Sequence, residues 1–231
     1  MTALLFLVFV AAMAGVVLWL VWRGLARRSA IIATVSLITW LAYVAVIGYS
    51  GVIRNTEMRP PGAVFLFAPV MLFLGLLAVG TLRAPVGPAL PLSLLLSIQS
   101  FRVIVELFIH QLWHEGLVPA VLTFSGANVD IYVGATAPLV ALISARSKHG
   151  PVIAIVWNVL GLLALANVVV RAVLTAPGPL NLIHAEVPNL MIGTFPFMFI
   201  PGFFVPLAVA LHLSAMKLAF ANAAGGAANK I

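Results

Sequence analysis

The chain has 231 residues, 64% hydrophobic and 7% charged, where a soluble domain carries roughly 25% charge, and this excludes water as its main solvent. Its net charge of +7 does not make it a nucleic-acid binder, because the basic residues stand at the ends of apolar runs rather than on one hydrated face with aromatics between them. Cysteine is absent, which excludes disulfides, thiolate nucleophiles and Cys-ligated zinc or iron–sulfur clusters.

Crossing about 30 Å of hydrocarbon takes about 20 apolar residues. Seven such stretches are predicted, over residues 3–22, 30–52, 63–82, 89–112, 131–144, 151–175 and 190–220, the fifth short and the last long. The expected fold is an all-α polytopic transmembrane bundle, one domain over 1–220 with a disordered, Ala- and Gly-rich tail over 221–231.

The first span has no basic residue before Trp22, and Arg23, Arg27 and Arg28 follow it, the reverse of a secretory signal. It reads as an uncleaved helix inserted with its amino end outside. Alternating spans then put eight basic residues on cytoplasmic connections, namely Arg23, Arg27, Arg28, Arg83, Arg146, Lys148, Lys217 and Lys230, and only Arg54 and Arg59 outside. That bias agrees with an odd number of spans and a cytoplasmic carboxyl end. The outer connections, 54–62, 113–130 and 176–188, carry turn-forming Pro and Gly, and the middle one is apolar enough to dip back into the membrane.

Polar side chains inside spans are expensive and point to function. In the fourth span Gln99, Arg102, Glu106, His110 and His114 recur at spacings of three and four, which places them on one sector of a helix. Arg102 and Glu106, four apart, are positioned to pair directly. The pair reads as a neutralised brace between helices, or as part of a polar pocket that binds an anion, a proton or a polar solute. A third reading is a metal ion held by Glu106, His110 and His114, with Glu115 nearby and His184 and Glu186 completing the shell.

Asp130 opens the fifth span at the same level, and Asn167 and Arg171 reach the outer half of the sixth, so an Asp130–Arg171 pair is expected. The last span holds Pro196, Pro201 and Pro206, which free the carbonyls of Ile192, Phe197 and Gly202 either as ligands or as plain kinks. His212 is expected to bond a neighbouring helix rather than a metal or haem. Lys217 lies too near the cytoplasmic end of its helix for a retinal Schiff base, and no phosphate loop, nucleophile elbow or zinc-protease motif occurs in a suitable setting.

At Phe-Arg-Val-Ile-Val-Glu-Leu (101–107), at Asn-Val-Asp-Ile-Tyr-Val-Gly-Ala-Thr-Ala-Pro (128–138) and in the proline-rich last span, the chain resembles a family of bacterial multi-pass membrane proteins of unknown function. The resemblance covers roughly the second half and implies a bacterial inner membrane, with no activity and no functional residue to carry over. The leading expectation is a seven-helix bundle whose outer half holds an ionisable pocket of Gln99, Arg102, Glu106, His110, Asp130, Asn167 and Arg171, for transport or recognition of a small polar or anionic ligand or a proton. The alternatives are a membrane-embedded metalloenzyme and a non-catalytic subunit of a larger membrane complex or homo-oligomer.

Overall fold

The structure, a computed structural model, describes residues 1–83 and 90–228. Long runs of Leu, Val, Ala and Ile, free of internal charge, form α1 (Thr2–Gly24) and α2 (Arg27–Tyr49). They are followed by α3 (Val64–Arg83), α4 (Leu92–Ile98), α5 (Phe101–His114), α6 (Asp130–Arg146), α7 (Gly150–Leu174) and α8 (Val205–Ala228). Helices α4 and α5 make one rod, Leu92–His114, interrupted by a turn at Gln99 and Ser100, so the described residues form seven rods and no strand. Five rods are long and apolar enough to cross a membrane, and Val64–Gly80 is a shorter apolar helix.

Three kinds of bond place alternate helix ends together. The Thr2 hydroxyl, at the start of α1, donates to Glu115 Oε1 just past α5 at 2.6 Å. Arg54 Nε, after α2, donates to the Gly193 carbonyl ahead of α8 at 2.6 Å. The amides of Asn189 and Leu190 donate to the carbonyls of Thr175, at the end of α7, and Leu117, after α5, each at 2.9 Å. The rods therefore run up and down, with the connections α2–α3, α5–α6 and α7–α8 at one end. The α5–α6 connection is not a surface loop: Val118, Leu122, Thr123 and Asn128 are buried in it.

The last predicted span needs correction. Residues 190–198 hold a 3-10 turn at Met191–Gly193 and then turns rather than a continuous helix, a π-helical turn occupies Ile200–Phe204, and α8 starts only at Val205. Prolines 196, 201 and 206 each lack an amide donor, so a regular helix cannot start upstream. Likewise the second helix stops at Tyr49 and a single 3-10 turn, Val52–Arg54, replaces its predicted end. Helix α8 continues to Ala228, and the rest of the expected tail, with Lys230, lies outside the described residues, as does Ala89 of the fourth span.

Two of the carbonyls released by proline find partners on neighbouring rods. Pro69 frees the Phe65 carbonyl, which accepts the Tyr43 hydroxyl at 2.7 Å. Pro206 frees that of Gly202, which accepts the Trp40 indole N–H at 2.7 Å. Replacing Trp40 by Phe keeps the ring and strands the Gly202 carbonyl, so we expect a loss of about 1–3 kcal/mol, read as a lower thermal midpoint of the purified protein. The core between these rods is aromatic: Phe6 lies 5.1, 5.2 and 5.8 Å, centroid to centroid, from Phe108, Phe197 and Phe204.

Candidate functional site

Arg102 and Glu106 follow each other on the inward stripe of α5, 2% and 1% exposed. That stripe meets Asp130 on α6, Gly161 on α7 and His212 on α8. The predicted Arg102–Glu106 pair does not form. Arg102 instead makes a two-pronged ion pair with Asp130, Nε donating to Oδ2 at 2.7 Å and Nη2 to Oδ1. Asp130 is the first residue of α6, where helix amides and dipole favour a carboxylate. A side chain on another rod can meet the guanidinium head-on, whereas a residue four along the same helix meets it obliquely.

Arg102 makes two further contacts. Nη2 donates to the Gly161 carbonyl at 3.3 Å, and Nη1 lies 2.6 Å from His212 Nε2. A guanidinium has no lone pair to offer, so His212 Nε2 is the acceptor and its proton sits on Nδ1. That Nδ1–H donates to Asn158 Oδ1 at 2.7 Å, and Asn158 Nδ2 donates to the Ala154 carbonyl at 2.7 Å. The orientation of every group in this chain is thus fixed, and His212 is neutral.

Two glycines make the space. A Cβ at Gly161 would come within 2.8 Å of His212 Nε2, and one at Gly134 within 2.7 Å of the Val103 amide nitrogen.

Glu106 is held separately. Asn128 Nδ2 donates to its Oε2 at 2.7 Å and to the Leu122 carbonyl at 2.9 Å, while Asn128 Oδ1 accepts the Asp130 amide at 2.9 Å. The bond from Asn128 is the single side-chain hydrogen bond of Glu106 among the described residues, and Glu106 makes no ion pair, Arg102 being taken by Asp130. Glu106, Arg102 and Asp130 line one side of a cavity of about 60 Å³ whose other walls are apolar, including Val105, Leu165 and Phe204. One water needs about 10–15 Å³, so the space suits a molecule of a few heavy atoms.

A larger cavity, about 370 Å³, lies among the connections and is lined by Arg54, Thr56, Asn189 and Thr194. Phe67 and Ile192 belong to the walls of both cavities.

The other predicted residues divide. Gln99 is fully buried, but its Nε2 donates to the Ala208 carbonyl at 3.3 Å and it stays out of the Arg102 cluster. The expected Asp130–Arg171 pair is replaced by Arg171 Nε donating to Asn167 Oδ1 at 2.9 Å, and Asn167 Nδ2 donates to the Ala127 carbonyl at 2.9 Å. These two residues fasten α7 to the segment ahead of α6.

The predicted metal shell is not gathered: among the described residues no three His, Asp or Glu side chains converge as a metal site. His110 stacks on Phe124 at 4.4 Å and meets His114 Nε2 to Nε2 at 3.3 Å, Glu106 turns inward to Asn128, and His184 is exposed on its connection. Glu186 Oε1 accepts the Ala120 amide. Glu115, just beyond α5, is held below the ordinary carboxylate range by hydrogen bonds from Thr2 and Gln111.

Sequence reasoning passed over Asn128 and Asn158 as site residues. An amide, Asn158, in the first half of the apolar run of α7, and an Asn two residues before a helix-opening Asp, were the signals available.

The model of a family described as Domain of unknown function (DUF8737) matches residues 60–220, which takes in α3 to most of α8 and the whole Arg102 cluster. No curated protein and no solved structure matches the chain.

Proposed function

We propose a function for this chain, which belongs to that family, from its own buried groups: it is a multi-pass protein of a bacterial inner membrane that recognises or carries a small ligand in a pocket closed by Glu106. Seven spans with the amino end outside agree with the eight-to-two bias of basic residues and with the up-and-down run of the rods. On that orientation the pocket and the larger cavity both face the outer side.

The observation that carries the proposal is Glu106, almost wholly buried, on a mostly apolar cavity, with one amide bond and no ion pair among the described residues. A charged carboxylate left alone in such surroundings costs several kcal/mol, which a proton or the donor group of a ligand offsets. The anionic alternative is disfavoured, since the guanidinium that would receive it is already ion-paired to Asp130 and bonded to His212 and the Gly161 carbonyl. The ligand class is therefore a molecule of few heavy atoms with an apolar body and one hydrogen-bond-donating group.

The test is saturation-transfer NMR on protein in lipid nanodiscs with n-propylamine, n-propanol and propionate. We expect transfer to the amine and the alcohol and none to propionate, and Glu106→Gln to weaken the amine about tenfold, a 1.4 kcal/mol step. Equal transfer to all three, or an unchanged amine signal in Glu106→Gln, overturns the pocket.

A further inference from the structure

Two cavities that share a wall invite the question of which part of the wall moves. Ile192 sits in the segment ahead of α8 and is fixed from four directions. Arg54 Nε donates to the Gly193 carbonyl at 2.6 Å, Asn189 Nδ2 to the Ala172 carbonyl at 2.9 Å, the Met191 amide to Asn189 Oδ1 at 3.2 Å, and the Leu190 amide to the Leu117 carbonyl at 2.9 Å. Phe67 differs in kind. It is half-buried on α3, its ring has no polar atom to anchor it, and two torsions decide its position. Its helix is also locally reorganised, because Pro69 gives up a backbone bond and Tyr43 takes the released Phe65 carbonyl.

We infer that the 370 Å³ cavity is the antechamber of the Glu106 pocket, and that the Phe67 ring is the movable partition between them with Ile192 as its fixed edge. The antechamber has the more polar wall of the two, with Arg54, Thr56, Asn189 and Thr194 on it, and beyond Phe67 a solute meets mostly carbon until it reaches Glu106. A small uncharged or donor-bearing solute passes such a sequence of surroundings more easily than a hydrated ion, because its desolvation costs less. The route runs through the connections at the end of the bundle rather than sideways between rods from the lipid. It rests on the Glu106 pocket being a binding site, but its test does not use Glu106.

The chain has no cysteine, so one introduced thiol is the sole target for a thiol reagent. Ile109→Cys places that thiol on the inner pocket and Thr194→Cys on the antechamber. The probe is methyl methanethiosulfonate, small and neutral, applied to protein in nanodiscs and followed by mass spectrometry. The partition predicts that adding Phe67→Ala speeds labelling of Ile109→Cys about tenfold or more and leaves Thr194→Cys unchanged, whereas Thr56→Trp, which fills the antechamber, slows labelling at 109. If Phe67→Ala fails to fold, Phe67→Leu gives the same direction with a smaller change. Labelling at 109 that ignores positions 67 and 56 means that solutes arrive from the lipid side, and no labelling at all means that nothing opens; either overturns the inference. Failure of the Glu106→Gln binding test leaves these rates readable, so the two proposals fall separately.

Discussion

Asp130→Ala should lower the stability of the folded bundle by about 3–5 kcal/mol, the largest single effect we expect from a substitution in this chain. The reason is what it leaves behind: Arg102 is 2% exposed, and without Asp130 its charge keeps only His212 and the Gly161 carbonyl as neutral partners. The measurement is denaturant or thermal unfolding of the protein in mild detergent. Replacing both ends of the pair, Arg102→Leu with Asp130→Leu, should recover part of the loss, since two apolar groups owe nothing to water while His212 Nε2 and the Gly161 carbonyl lose their donor. A double variant no more stable than Asp130→Ala alone would mean that the pair is not the cause. This cycle also separates the brace reading of Arg102 from the ligand reading of Glu106, because the double variant keeps Glu106 and Asn128 in place.

Gly161→Val should be nearly as damaging, at about 1–3 kcal/mol or more for forced overpacking. A Cβ there already reaches to 2.8 Å of His212 Nε2, and the branch adds two further carbons. The imidazole has to leave Arg102 or Asn158, and either departure strands a buried donor or acceptor. Beyond the loss of stability, nitrogen-15 spectra of labelled histidine should change from the Nδ1-protonated tautomer of His212 to a mixed signal. A tautomer pattern identical to that of the unsubstituted protein would show that the ring had not been displaced. Ala at the same position should give a milder form of both changes.

How much of this was readable in advance follows from where each interaction lies along the chain. The rods were legible because apolar length is a property of consecutive residues, and five of seven satisfy it without help. The inward stripe of α5 was legible for the same reason, since Gln99, Arg102 and Glu106 are all buried at their predicted spacing. The partner of Arg102 was not. Same-helix spacing offers Glu106 as the obvious counter-ion, and only the packing of α5 against α6 shows that Asp130 presents both carboxylate oxygens to the guanidinium. His212 and Asn158 were obscured by the same limit, being 110 and 56 residues from Arg102 in sequence but within two hydrogen bonds of it in space. The start of α8 was misjudged because three prolines inside an apolar run lengthen the run without lengthening the helix.

The lightness of the α1–α2 hairpin has a consequence for how this molecule tolerates change. Only 22% and 11% of their apolar windows are buried, and the family match begins beyond them at residue 60. An exposed apolar side chain with no neighbour in the bundle is interchangeable with many others of like hydropathy, so most positions on these two rods are free to drift. What fastens them is concentrated at a few points: the Phe6 ring among its aromatic neighbours, the Trp40 indole on Gly202, and Gly48, against which the Met198 side chain packs. Those contacts act as rivets on an otherwise replaceable plate, and substitutions there should be far rarer than the composition of the hairpin suggests.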